Sequence, residues 1–349
     1  MTVAVLVGNR GEVAVRIQRS ARNLGLRTVA VYAADDQFSA HVAEADLAVP
    51  LPGTGPQAYL DIGAIVDAAV ETGCELLHPG YGFLSEDPEL ARRCGARGLR
   101  FVGPSADALA LLGDKVATRG LAERLAVPVL PASSVIEDAD DPLGFFDGLG
   151  PGAAVIVKAV AGGGGRGMRV VADRADLVAA LDRARSEASR AFGRSQVYLE
   201  QYLASARHIE VQVVGDGQRT VSLGLRDCSV QRRHQKVIEI APPAGLPAGL
   251  GDELEAHAIR LVGAAGAAGL VTVEFLLDVN RGLAPAFIEA NPRLQVEHGI
   301  TEAVTGIDLV GVQLELAQGA TLADLGLDQP PRGWRRDRGA RNARRRAWG

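Results

Sequence analysis

The sequence predicts an α/β protein: a parallel sheet interleaved with helices, then antiparallel strands around a mobile glycine-rich hairpin. Three observations carry this. The apolar run Val3–Val7 leads through Gly8-Asn9-Arg10-Gly11-Glu12 into a helical pattern (Val13, Ile17, Leu24) and a second strand, Thr28–Tyr32. A β-turn-α-β opening of this kind builds a parallel sheet. Further on, His208–Val214 alternates polar and apolar residues and is joined by Gly215-Asp216-Gly217 to Thr220–Leu225, the pattern of an antiparallel hairpin. Between these regions, Gly162-Gly163-Gly164-Gly165-Arg166-Gly167 separates the strand Val155–Lys158 from the strand Arg169–Val171.

Composition narrows the classes. At 349 residues and 47% hydrophobic content, the chain is long enough for two or three packed units with a large core. The net charge of −5 is spread along the chain, so nothing suggests a nucleic-acid face. Cys74, Cys94 and Cys228 are odd in number and widely spaced, which fits a reducing, cytoplasmic setting without a disulfide framework. No basic region precedes the first apolar run, which therefore reads as a strand and not a signal peptide. The longest apolar run, Leu261–Val273, is too short and too rich in Ala and Gly to span a bilayer. Among 37 basic residues only Lys115, Lys158 and Lys236 are lysines. Arginine supplies the generic surface charge, so the places kept for a compact point charge on a flexible stem are informative, as at phosphates.

Taken in order, Leu60–Glu71 is helical, and Leu76-Leu77 feeds a loop dense in turn formers, His78–Asp87. His78 and Tyr81, taken alone, fit packing of that loop better than catalysis. Pro88–Ala96 is a helix, Phe101-Val102 a short strand, and the first unit ends near Leu112. Gly113-Asp114-Lys115 precedes a helix that ends at Val127-Pro128, and Val155–Lys158 carries the second lysine at its end. In the glycine run, the missing Cβ atoms let successive backbone N–H groups converge on an anion and keep the loop mobile. No Gly-Lys-Ser/Thr follows, so this is not a P-loop. A hairpin lid over phosphates is the sharper reading and a linker the plainer one; the flanking strands and Lys158 favour the lid. Asp176–Phe192 is a helix, and Val197–Tyr202 a strand with Glu200 near its end. Arg226–Lys236 mixes its basic residues with Asp, Ser and Gln and runs into a strand at Val237–Ile240, which favours a folded site over a solvated loop. Helices follow at Gly251–Ala267 and Leu309–Gln318. The strand Val271–Leu277 sets Glu274 among apolar neighbours, where a carboxylate needs a partner.

The stretch Phe287–His298 is the most pointed. Glu289, Asn291, Arg293, Gln295 and Glu297 occupy every second position, so an extended chain sends all five to one face. Two carboxylates, amides and a guanidinium in line suit a cation beside a small oxyanion. Alternation alone favours the plainer reading, a strand with a solvated face. Pro292, which cannot donate to a ladder, argues against an ordinary central strand. Glu289 and Glu274 are expected to face each other from adjacent antiparallel strands.

In this order and spacing, the NRGE turn, HPGYGFLSED, GDK, the lysine before GGGGRGM, RDCSVQRRHQK and EANPRLQVEH resemble the biotin carboxylase family from Val3 to about Leu327. All three lysines fall inside these motifs. The resemblance implies a Rossmann-like (pre-ATP-grasp) domain over residues 1–112. An ATP-grasp fold follows over 113–331, with antiparallel sheets and a lid subdomain at about 130–203. Lys115 and Lys158 would bind nucleotide phosphates, with Gly164 and Gly165 closing over them. Glu200 and the backbone through Leu203 would meet the adenine, His208 the ribose, and His234 would lie near the nucleotide. Glu274, Glu289 and Asn291 would hold Mg²⁺ or Mn²⁺. Lys236, Arg293, Gln295 and the Val296 backbone would hold bicarbonate, and Glu297 would deprotonate it. Arg293 would also stabilise the biotin enolate, with Tyr81, Gly82 and Gln231 near the biotin ring.

The implied partners are a biotin carrier, a carboxyltransferase subunit and, for a complete unit, a second copy of the chain; neither nucleic acid nor membrane is among them. The family presents biotin on a lysine between methionines, and the only methionines here are Met1 and Met168. The carrier is therefore expected on another chain or region. Residues 332–349 are crowded with arginine where the family would continue with a His-Ala-Ile/Val-Glu strand. A shifted reading frame or truncated gene model is expected there, leaving a marginal fold with weak biotin turnover. Another ATP-grasp ligase and a catalytically impaired ATP-binding remnant are the alternatives.

Overall fold

The computed structural model describes residues 2–136, 141–160, 168–193, 195–233 and 235–328. Gly164, Gly165, His234 and the 332–349 tail lie outside these.

The N-terminal strands β1 (Ala4–Val7), β2 (Arg27–Tyr32), β3 (Leu47–Pro50), β4 (Leu76–His78) and β5 (Arg100–Phe101) form one parallel sheet in the order β3-β2-β1-β4-β5. The apolar runs are buried because helices cover the sheet. Val5, Val7 and Leu76 pack with Val13 and Ile17 of the helix Gly11–Asn23, while Leu6 and Leu77 pack with Ile65 and Leu90. The strand order reverses between β1 and β4, where a crevice forms at the carboxyl ends of parallel strands. Here Asn9 closes it: its side-chain amide donates to Pro79 O at 2.7 Å and Tyr81 O at 2.9 Å. Gly80 permits this approach, having φ +71°, and a Cβ there would lie 2.8 Å from Asn9 Nδ2. The His78–Asp87 loop is thus pinned over the sheet. His78 is fully buried and accepts from Gly80 N at 3.0 Å, a packing role as the sequence suggested.

A three-stranded antiparallel sheet follows, β6 (Ala154–Ala159), β7 (Arg169–Val171) and β8 (Val197–Tyr202), ordered β7-β6-β8. Its core of Val155, Val157 and Leu199 is covered by Leu177 and Leu181 of the helix Leu177–Phe192. The β6–β7 hairpin is antiparallel, as expected of strands flanking a lid.

The second large sheet is antiparallel: β9 (Ala206–Asp216), β10 (Thr220–Arg232), β11 (Gln235–Ile240), β12 (Ala268–Asp278) and β13 (Ala284–Asn291), ordered β11-β10-β9-β12-β13. Val211, Val213, Val273 and Phe275 pack under Leu254 and Leu261 of the helix Leu250–Ala264. Phe275, fully buried and edge-on to Phe287 at 6.2 Å, contributes about 2 kcal/mol by area. The opposite face joins the N-terminal unit through one shared core of Val214, Leu223, Leu270, Leu309, Val5 and Ile17.

One expectation is corrected. The Phe287–His298 segment is not one extended strand: β13 ends at Asn291, the chain turns, and a helix begins at His298. Pro292 supplies no N–H, so the ladder stops there and Arg293, Gln295 and Glu297 leave the face that holds Glu289 and Asn291. The basic run after Leu225 is folded, as favoured over a solvated loop: β10 continues past Leu225 to Arg232.

Candidate functional site

Strand register assembles the centre of the site. Arg226, Glu210, Glu274 and Glu289 stand in one cross-strand row over β10, β9, β12 and β13. A bulge at Ile288 adjusts the last pairing: Glu274 opposes Glu289, whereas Phe275 opposes Phe287. Like charges directly opposite repel, and burial removes the water that would screen them. Cations offset this along the row. Lys236, on β11, donates to Glu210 Oε2 at 2.5 Å, Glu274 Oε1 at 3.0 Å and Glu297 Oε1 at 2.7 Å. His208 Nε2 lies 2.7 Å from Glu274 Oε2. Arg226, fully buried, pairs with the other oxygen of Glu210.

Lys115 closes the far end, with Nζ 3.0 Å from Glu289 Oε2. Asp114 caps the helix Lys115–Arg124 by accepting from Val116 N and Ala117 N at 2.9 Å each, which fixes the lysine in the first turn. A cation there opposes the helix dipole, so its position answers to the carboxylate and not to the helix.

The protonation states follow. Burial opposes charge on Glu274, but Lys236 and His208 outweigh it and hold its carboxyl below the usual range. Burial likewise opposes charge on Glu289, where Lys115 and Lys158 prevail, and on Glu210, where Arg226 and Lys236 prevail. Burial alone would push Lys236 down, yet Glu274, Glu210 and Glu297 raise it well above an ordinary lysine. His208 is raised too, burial being outweighed by Glu274.

The other expected residues are distributed as follows. Lys158 pairs with Glu200 across the β6–β8 sheet. Asn291 donates to Glu274 Oε1 at 3.0 Å and Glu289 Oε1 at 3.4 Å, tying together the set expected for metal. Gln231 Nε2 lies 2.6 Å from His208 Nδ1, so two residues assigned to different ligands touch each other. Arg293 meets Glu86 of the pinned loop at 2.6 Å and Asn291 Oδ1 at 3.3 Å. Gln295 is buried, with Nε2 lacking a partner among the described residues. Tyr81 bonds Glu12, Val296 is exposed, and Leu203, half-buried, follows the end of β8.

Glu210, Arg226, Thr301 and Glu86 were not singled out from sequence. The alternation of His208, Glu210 and Gln212 did put Glu210 on the right face. Arg226 carried no such sign, because the sequence pattern ended its strand at Leu225.

A divalent cation suits this wall. Glu274 and Glu289 present oxygen donors from facing strands, Asn291 spans them, and each carboxylate already holds an ammonium where a metal would bring charge.

The first 109 residues match the family model for the biotin carboxylase N-terminal domain, and residues 114–325 match that for the carbamoyl-phosphate synthase L chain ATP binding domain. A pyruvate carboxylase of Aspergillus niger is 48% identical over 331 residues, covering 93% of this chain and 27% of that protein. A biotin carboxylase of Pseudomonas aeruginosa is 44% identical over 325 residues, covering 93% of this chain and 72% of its own length. Among solved structures, the biotin carboxylase domain dimer of Hydrogenobacter thermophilus 2-oxoglutarate carboxylase, in complex with MgADP, ADP and bicarbonate, superposes with a TM-score of 0.88 at 40% identity. That match covers 92% of this chain and 71% of the other. The chain thus spans about a quarter of the pyruvate carboxylase and most of the biotin carboxylase.

Proposed function

This chain belongs to the biotin carboxylase family, and we propose that it carries out the ATP- and bicarbonate-dependent carboxylation of biotin through carboxyphosphate. The observation that carries this is Lys236 Nζ held at once against Glu297, Glu274 and Glu210. That joins a cation for an oxyanion, a carboxylate base and a metal-type carboxylate at one point.

In this reading Lys115 and Lys158 take the nucleotide phosphates, Gly164 and Gly165 cover them, and Glu200 with the Leu203 backbone takes the adenine. His208 faces the ribose and His234 lies near the nucleotide. Glu274, Glu289 and Asn291 are the residues that would hold Mg²⁺ or Mn²⁺, which when bound neutralises the phosphoryl oxygens. Lys236, Arg293, Gln295 and the Val296 backbone hold bicarbonate, and Glu297 accepts its proton. A bicarbonate oxygen attacks the γ-phosphorus, the bond to the β-phosphate oxygen breaks, and ADP leaves carboxyphosphate behind. Its C–O bond breaks to CO₂ and phosphate. Phosphate removes the N1 proton of biotin, Arg293 stabilises the enolate, and N1 bonds to CO₂. Tyr81 and Gln231 neighbour the biotin ring. Proximity supplies much of the rate, because nucleophile, base and acceptor are held together.

Biotin arrives on a carrier protein or domain, a carboxyltransferase consumes the product, and a homodimer is the working unit. The division at 112/113 is part of the proposal, supported by family matches that break between 109 and 114. So is a reducing, cytoplasmic setting, supported by three buried free cysteines; no described helix is long and apolar enough to cross a membrane. The test is ADP release with and without bicarbonate and free biotin, beside Glu297→Gln. Release that requires bicarbonate and is lost in the variant supports the proposal. Bicarbonate-independent release, or turnover with an amino-acid co-substrate, sinks it.

A further inference from the structure

Arg226 has no solvent exposure, so it cannot touch a substrate, yet it stands at the head of the carboxylate row. Its Nε meets Glu210 Oε1. Its Nη1 donates to Gln212 Oε1 at 2.9 Å and to Thr301 Oγ1 at 2.8 Å, and Nη2 donates to Thr272 Oγ1 at 3.2 Å. Thr301 lies on the helix His298–Thr305, whose N-cap is Glu297. The same guanidinium therefore fixes Glu210 on β9 and the helix that starts from Glu297. Between those two carboxylates sits the Lys236 ammonium, 2.5 Å from one and 2.7 Å from the other.

We propose that Arg226 is a positioning residue for the anion site, setting through Glu210 and Thr301 the gap in which Lys236 and Glu297 meet bicarbonate. This rests on the proposed function. Two effects act together. Arg226 shares the charge of Glu210, so Lys236 is not neutralised by that carboxylate alone and keeps field for an anion. Its planar fork also holds strand and helix in one geometry, which a flexible ammonium could not reproduce.

The chain's three lysines give three side-chain Cε–Nζ signals when lysine alone is isotopically labelled. Bicarbonate is titrated against the Lys236 signal in the full chain with MgADP present, while the Lys158 signal reports nucleotide. In Arg226→Met the bicarbonate half-point is expected to rise at least about 10-fold, the scale of losing hydrogen bonds to a charged group. The Lys158 response to MgADP should move by less than about 3-fold, which separates an anion-site effect from general unfolding. Thr301→Val, which keeps the charge and removes the tie to the helix, should raise the half-point about 5-fold. Should Arg226→Met fail to fold, an unchanged half-point in Thr301→Val overturns the proposal, as does an unchanged half-point in a folded Arg226→Met. A Lys236 signal that ignores bicarbonate in the unaltered chain overturns the proposed function itself, and this inference with it.

Discussion

Lys115 Nζ lies 3.0 Å from Glu289 Oε2, so the lysine proposed for phosphate and the carboxylate proposed for metal are each other's partners without ligand. Burial is opposed by this pairing on both sides: Glu289 raises the lysine and Lys115 lowers the carboxyl. Nucleotide without metal must take Lys115 away and leave Glu289 buried with less compensation. Metal and nucleotide together give both groups new partners. The effects of Glu289→Gln on nucleotide affinity should therefore have opposite signs. By calorimetry in chelator, ADP should bind Glu289→Gln at least about 5-fold more tightly than the unaltered chain, a typical coupling between sites. With Mg²⁺ present, the variant should bind more weakly. Weaker binding in chelator as well would show that the pair does not restrain Lys115.

Asn9 and Gly80 carry a stability prediction. The Asn9 amide serves Pro79 O and Tyr81 O, and its site is almost fully buried. Asn9→Ala leaves those carbonyls without their donor and should cost about 1–3 kcal/mol. Gly80→Ala places a Cβ 2.8 Å from Asn9 Nδ2 at φ +71° and should cost a similar amount. Urea denaturation measures both. In the double variant the costs should not add, because the Asn9 side chain that the new Cβ meets is gone. Full additivity would count against the contact.

His78 sets a pH dependence. Burial pushes its pKa down from 6.5 to about 3, and Gln313 beside it offsets only part of that. With Nδ1 accepting from Gly80 N, the neutral ring carries its proton on Nε2. Between these values the unfolded chain binds a proton that the folded chain refuses. Folding is therefore penalised as pH falls from 6.5 toward 3, at up to about 1.4 kcal/mol per pH unit. Glu274, Glu289 and Glu210 lose stability in acid as well, so His78→Gln is the control. That variant should be less stable than the unaltered chain at pH 7.5, and the gap should narrow on going to pH 5. Parallel stability curves would place the acid sensitivity elsewhere.

How far the sequence carried this picture depended on whether a feature was local. The three lysines stood out against an arginine background, and each meets a glutamate: Lys115 meets Glu289, Lys236 meets Glu274, and Lys158 meets Glu200 on a separate sheet. The facing of Glu274 and Glu289 followed from two neighbouring strands and one turn. The period of two failed where it was extended through Pro292, because the residues beyond it are placed by a turn and a helix. Arg293 shows what could not be read: its partner Glu86 is 207 positions away, brought near by the packing of two units. Glu210 was on the expected face, but its burial depends on β10 and β12 flanking β9, and no single strand encodes that.

In the proposed reaction a bicarbonate oxygen attacks the γ-phosphorus of ATP. The most direct measurement follows ¹⁸O from labelled bicarbonate into the phosphate released by the full chain with MgATP and free biotin. One bicarbonate oxygen is expected in each phosphate formed, and no such label above background in Glu297→Gln. Phosphate formed with oxygen from water instead would contradict it.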